Sequence, residues 1–217
     1  ELFVVALICW FFWCGKKSLA YQLGFSYFLS GLMVQGLKIF FRIPRPWVLD
    51  PGFEPVKSAV PGATGYSFPS GHTQSATALF TALALRVKKW GSRILCVLAF
   101  VLVGFSRMYL GVHTPKDVLT SMGITFFLSC LVYIIWKKLE SDKHYDLMIS
   151  VLLAAASLIL LACDVYLINA GLLTVKNAMD CCKACGAGLA FAAGFYIERR
   201  FLDFVPPASV PQKLARF

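Results

Sequence analysis

Seven apolar stretches partition this sequence, and a bundle of membrane-crossing helices accommodates them best. A spanning helix needs about 20 mostly apolar residues. The candidate segments are residues 2–14, 19–41, 70–87, 94–112, 118–136, 147–168 and 178–197, the first of them short. Backbone amides in hydrocarbon must find partners inside their own segment, so each run is expected to be a helix rather than a lipid-exposed strand. The run 178–197 carries Asp180 and Lys183 near its start, three residues apart on one helix face, where they can pair. Composition agrees, with 59% hydrophobic and 15% charged residues, against roughly 45–50% and 25% in soluble domains. The expected fold class is all-α, a polytopic membrane helical bundle.

The formal net charge of +10 invites a nucleic-acid reading, but the basic residues sit in short clusters between apolar runs. That placement fits topology signals and anion binding, so nucleic acid is not an expected partner. Lys16, Lys17, Arg86, Lys88, Lys89, Arg93, Lys137, Lys138, Lys143 and the basic residues after 198 fall on alternate connections. They bring 13 basic residues to one side of the bilayer and leave 8 on the other. The positive-inside rule assigns the richer side to the cytoplasm. The chain opens on Glu1 and runs directly into residues 2–14, which reads as a fragment of a longer polypeptide cut in or just before its first membrane helix. Eight cysteines, most of them inside apolar segments, read as small packing residues rather than a disulfide framework.

Three polar clusters interrupt the apolar pattern. The first is Lys38 followed after six residues by Arg45-Pro46; the second is Pro69-Ser70-Gly71-His72. The third is Ser106-Arg107, five residues, His113, three residues, Asp117. The topology drawn from charge alone brings all three to the outer face. Lys38, Arg45 and Arg107 supply three cations able to hold a phosphate and neutralise its oxygens. Ser70 and Gly71 precede a helix, where a hydroxyl and free N–H groups can add donors. Asp117 lies four residues after His113, one turn along a helix, where a carboxylate would fix the ring tautomer and free the other nitrogen to attack phosphorus. His72 has no carboxylate close in sequence and suits a general acid. No paired carboxylates or His/Cys clusters at ligand spacing accompany these residues, so no metal or cofactor is expected.

The string Lys38-x6-Arg45-Pro46, Pro69-Ser70-Gly71-His72 and Ser106-Arg107-x5-His113-x3-Asp117 resembles the tripartite signature of the type 2 phosphatidic acid phosphatase superfamily. The resemblance covers residues 19 to about 136. It implies a six-helix membrane core, metal-independent hydrolysis and a phosphohistidine intermediate on His113. It further implies His72 as acid, Asp117 as the orienting residue, and Lys38, Arg45, Ser70, Gly71 and Arg107 as phosphate holders. Residues 1–204 would form the membrane-embedded phosphatase domain and 205–217 a cytoplasmic tail. The implied partners are a lipid phosphate or diphosphate substrate (phosphatidate, phosphatidylglycerol phosphate or a polyprenyl diphosphate) and membrane lipids.

Several features stay open at this level. The connection 42–68, rich in Pro and Gly, suggests a lid or vestibule. Trp47, Phe53, Tyr66 and Phe68 fit either contact with a lipid chain or an interfacial aromatic belt. His144 reads as a solvated residue between helices. Cys181-Cys182-Lys183-Ala184-Cys185 has the CxxC form; helix packing is the simpler reading, and a redox or zinc role the alternative. Asp164 either marks function or snorkels to the interface. A phosphotransferase passing phosphate to another alcohol would use the same residues. A transporter or flippase would concentrate charge near the midplane in repeated halves, a pattern this sequence lacks.

Overall fold

The computed structural model describes residues 2–205, and all regular structure among them is helical. The helices are α1 (Leu2–Cys14), α2 (Lys17–Phe41), a short α3 (Pro46–Leu49), α4 (Gly71–Arg86), α5 (Trp90–Tyr109), α6 (Pro115–Leu139), α7 (Asp146–Asn169) and α8 (Val175–Ile197). Every apolar run became a helix, and the protein is an all-α integral membrane bundle. Of the segment expected as a tail, residues 206–217 lie outside the described residues.

Helix ends depart from the apolar runs where capping chemistry acts. α6 begins three residues before its apolar run, because Thr114 caps it and Pro115 occupies its first turn. α5 stops at Tyr109 rather than 112, because Gly111 adopts φ +70 and turns the chain away. The connection 42–68 is not structureless: it carries α3 and a 3-10 turn at Lys57–Ala59.

Among the described residues, four stretches are long and apolar enough to cross a bilayer: Lys17–Leu49, Trp90–Tyr109, Pro115–Leu139 and Lys143–Asn169. α4 has 16 residues, about 24 Å of helix and short of a ~30 Å hydrocarbon core. It packs against α2, α5 and α6, so much of its surface meets protein rather than lipid. Its buried positions are Thr73, Gln74, Ser75, Ala76, Thr77, Ala78, Leu79, Thr81 and Ala82. Facing them are Ser26 and Ser30 of α2 and Ser121, Thr125 and Ser129 of α6, all fully buried. Small and hydroxyl side chains let membrane helices approach closely. At Gly104 the approach of α5 to α6 is so tight that a Cβ would lie 2.8 Å from Val118 Cγ1.

The outer surface is the reverse. Leu95, Leu98, Leu102 and Phe105 on α5, Phe127 and Ile134 on α6, and Leu152 and Ile159 on α7 are exposed. Hydroxyl-rich contacts around α4 and an apolar outer surface fit lipid as the solvent.

The bundle has two chemically distinct ends. At one, Arg199 donates to Asp146 Oδ2 at 2.8 Å, Lys143 pairs with Asp203 at 2.5 Å, and Lys17 pairs with Glu198. The opposite end gathers the ends of α2, α5 and α7, the starts of α4, α6 and α8, and the 42–70 connection.

Candidate active site

The start of α4 is bolted to the start of α6. Ser70 N–H donates to the Asp117 carbonyl at 3.1 Å, and Ser121 Oγ donates to the Ser70 carbonyl at 2.7 Å. Ser70 Oγ accepts from Thr73 N at 3.4 Å and from Thr73 Oγ1 at 2.9 Å. Its hydroxyl is therefore engaged as a helix cap and is fully buried. The next turn of α4 presents His72, which is exposed toward a cavity.

That cavity measures about 330 Å³. His72, His113, Arg45 and Arg107 line it, with Ser58, Ala59, Gly62 and Ala63 from the 42–70 connection forming a wall. The two histidines and two of the three expected cations thus share one chamber. Lys38, Ser70, Gly71 and Asp117 are not among its lining residues. Lys38 is buried and donates to the Tyr66 carbonyl at 3.1 Å.

His113 is not on a helix, contrary to the one-turn argument for its pairing with Asp117. It precedes α6, and Asp117 is the third residue of that helix, in a capping box with Thr114. Asp117 Oδ2 accepts from Thr114 N at 2.8 Å and from Ser67 Oγ at 2.6 Å. The same oxygen lies 3.5 Å from His113 Nδ1, a close but longer contact. The cap, rather than helical periodicity, brings carboxylate and ring together.

The other ring nitrogen defines the tautomer. Arg45 Nη1 lies 2.9 Å from His113 Nε2. A guanidinium has only donors, so Nε2 presents a lone pair and the ring proton resides on Nδ1, toward Asp117. Burial holds His113 well below the ordinary histidine range, at about 4; Asp117 pulls upward, and the Arg45 and Lys38 charges push further down. The ring is therefore neutral at neutral pH, with its basic nitrogen in the chamber.

Arg45 does more than face the cavity. Its Nε donates to the Gly65 carbonyl at 3.2 Å, Nη2 to the Thr64 carbonyl at 2.6 Å and Nη1 to the Val112 carbonyl at 2.9 Å. Four of its five N–H groups are thus engaged, which ties the 42–70 connection to the strip before His113. Arg107 Nε lies 3.4 Å from its neighbour's Ser106 Oγ, and the side chain is only half-buried.

Sequence reasoning overlooked Ser67, Thr114 and Thr64, and read Asp180 only as a partner of Lys183. Thr114 was visible as the first residue of Thr114-x-x-Asp117, a capping-box spacing. Ser67 and Thr64 had no local signal. Thr64 Oγ1 donates to Asp180 Oδ2 at 2.5 Å, so α8 braces the connection that carries Arg45. Asp180 also meets Lys183 at 3.7 Å, the pairing expected. Of the aromatics, Phe68 is buried with its ring 5.3 Å from Phe41, and Phe53 covers Gly111, where a Cβ would meet its ring at 2.9 Å. Phe68 thus packs within the protein, whereas Phe53 stays 41% exposed over Gly111. His144 is exposed, as expected.

The comparisons with known proteins point one way. The chain is 35% identical over 107 residues to undecaprenyl-diphosphatase BcrC of Bacillus subtilis, covering 48% of this chain and 52% of that one. It is 34% identical to putative undecaprenyl-diphosphatase YbjG of Escherichia coli over 60% of this chain and 61% of that one. Sphingosine-1-phosphate phosphatase 2 of Mus musculus is 26% identical over 97% of this chain and 59% of its own length. The chain spans about half the length of the curated relatives it matches. No solved structure matches. The family model described as the PAP2 superfamily matches residues 19–141, which contain every residue of the chamber, and the chain belongs to that superfamily.

Proposed function

We propose that this protein hydrolyses a lipid phosphate or diphosphate, without a metal, through a phosphohistidine on His113. The observation that carries the reading is the orientation of His113. Its Nδ1 faces Asp117, and its Nε2 lone pair enters a chamber shared with His72 and two arginines. In the reaction, the substrate phosphate takes up Arg107 and the Arg45 N–H now resting on Nε2, which frees that lone pair for in-line attack. Asp117 stabilises the imidazolium as the bond to phosphorus forms. Burial and the Arg107, Lys38 and Arg45 charges hold His72 down at about 4, so it takes up a proton as the phosphate's negative charge enters the chamber. It gives that proton to the departing oxygen, then accepts one from the water that cleaves the P–N bond. Lys38, whose charge reaches both His72 and His113, and Ser70 and Gly71 at the start of α4 complete the set that holds the phosphate.

The relatives named as undecaprenyl-diphosphatases and as phosphatidylglycerophosphatase B favour a membrane lipid carrying a phosphate or diphosphate head. The chamber sits at one end of the bundle, opposite the end richer in lysine and arginine, so the positive-inside rule supports an extracytoplasmic site. A substrate panel in detergent tests the reading, comparing wild type with His113→Ala and His72→Ala for phosphate release without added divalent cations. Release by the wild type that is abolished in both folded variants is the expected result. Wild-type-like turnover in either variant, or an absolute need for added Mg²⁺, refutes it. Phosphate appearing on an added alcohol instead of in solution would assign the chain to phosphotransfer.

A further inference from the structure

Asp164 does not snorkel. It is 0% exposed on α7, facing α8. On that face of α8 lie Cys181 and Cys185, one turn apart and also fully buried. One ligand atom from each of the three residues lies within 4.8 Å of the others. Cys182 Sγ lies 3.6 Å from Asp164 Oδ2, and Oδ1 has no hydrogen-bond partner among the described residues. The nearest cation in sequence, Lys183, is directed outward to Asp180. A buried carboxylate with an unsatisfied oxygen and no counter-charge is expensive, and a structure retains one where it has a ligand to hold.

We propose that Asp164, Cys181 and Cys185 bind a zinc ion that staples α7 to α8, with Cys182 in reach of the fourth position. The donor set selects the metal. Thiolates disfavour calcium and magnesium, while the carboxylate disfavours copper(I); two sulfurs and an oxygen suit tetrahedral Zn²⁺. Zinc–ligand bonds of about 2.0–2.3 Å place neighbouring donors roughly 3.5–3.8 Å apart, so small side-chain rotations close the present triangle. Each of Cys181 and Cys185 loses one proton to solvent as its Zn–S bond forms, and Asp164 binds as the carboxylate, so the two thiolates, the carboxylate and Zn²⁺ together carry one negative charge. The metal gives the orphan oxygen a partner.

None of the three residues lines the catalytic chamber, so the ion acts on the scaffold. α8 also carries Asp180, which holds Thr64, whose carbonyl in turn holds Arg45. Fixing the start of α8 against α7 therefore steadies the arginine connection from behind.

The test is metal analysis of the full chain, purified in detergent under reducing conditions. About one zinc per chain is expected, falling severalfold in Asp164→Asn and in Cys181→Ser. Adding Zn²⁺ to chelator-treated wild type should raise its melting temperature by several degrees and leave Asp164→Asn unmoved. Asp164→Asn preserves the shape of the side chain and so keeps the test valid if the cysteine variant fails to fold. Co²⁺ in place of zinc should give a thiolate-to-cobalt charge-transfer band, absent in the variants. Wild type that neither holds zinc nor responds to it overturns the proposal. So does zinc retained equally by the variants, or a disulfide among Cys181, Cys182 and Cys185 in protein isolated without reductant.

Discussion

Replacing Asp117 with asparagine keeps the shape of the side chain and removes its charge, which separates its two tasks. As an acceptor, Asp117 Oδ2 serves Ser67 and Thr114, and an amide oxygen can take over both bonds. As a charge, it lies 3.5 Å from His113 Nδ1, with both side chains 3% exposed. In the proposed reaction, attack by Nε2 converts a neutral ring to a cationic one, so the carboxylate acts mainly on the transition state. Two unit charges 3.5 Å apart at an effective dielectric constant of ~20 interact by about 5 kcal/mol, an upper figure corresponding to roughly 3 × 10³-fold in rate. Asp117→Asn should therefore lower kcat by up to about 3 × 10³-fold with KM within a few-fold of wild type. The assay is phosphate release from a short-chain lipid phosphate over a full substrate range. The melting temperature controls for loss of the α6 cap, which is worth about 1 kcal/mol. A kcat within tenfold of wild type, or a loss confined to KM, refutes the charge argument.

The depressed histidine makes a second prediction. His113 titrates near 4 in the fold against 6.5 for an ordinary histidine, with Asp117, Arg45 and Lys38 the charged groups acting on it. The unfolded chain takes up this proton first as pH falls, so folding stability should drop by about 3 kcal/mol between pH 6.5 and 4 from this residue alone. His113→Gln should flatten that part of the stability profile, and an unchanged profile counts against the assignment. Ser67→Ala removes a 2.6 Å bond to Asp117 and should cost roughly tenfold in kcat, read in the same phosphate assay; an unaffected kcat would show that Asp117 needs no such anchor. Gly111→Ala forces a side chain into φ +70 and against the Phe53 ring and the Pro55 backbone. It should destabilise by about 1–2 kcal/mol, visible as a melting point several degrees lower, and a neutral outcome would mean that the 53–55 segment yields freely.

The helices were legible because membrane solvent imposes one strong rule, a long apolar run per span, and α5, α6 and α7 obey it. α4 was legible for a different reason: Pro69-Ser70-Gly71 announces its start, although its 16 residues and many hydroxyls suit a helix wrapped in protein. The chamber residues could be grouped because they cluster at helix ends on one side. What stayed hidden depends on the path of the 42–70 connection, which has no periodicity to read. Arg45 therefore looked like a free phosphate fork, yet most of its donors hold the Gly65, Thr64 and Val112 carbonyls. Asp164 was illegible for a related reason. α7 is apolar almost all round, so nothing in its pattern says which face meets α8.

The central claim is that His113 becomes covalently phosphorylated. Rapid quenching of the protein during turnover of a ³²P-labelled lipid phosphate, followed by peptide mapping, addresses it directly. Label that is stable in alkali and lost in acid, on the peptide containing His113, and absent from His113→Ala, is the result this account predicts. Label on another residue, or full turnover with no phosphorylated protein at any quench time in wild type or in a His72 variant slowed at the hydrolysis step, would contradict it.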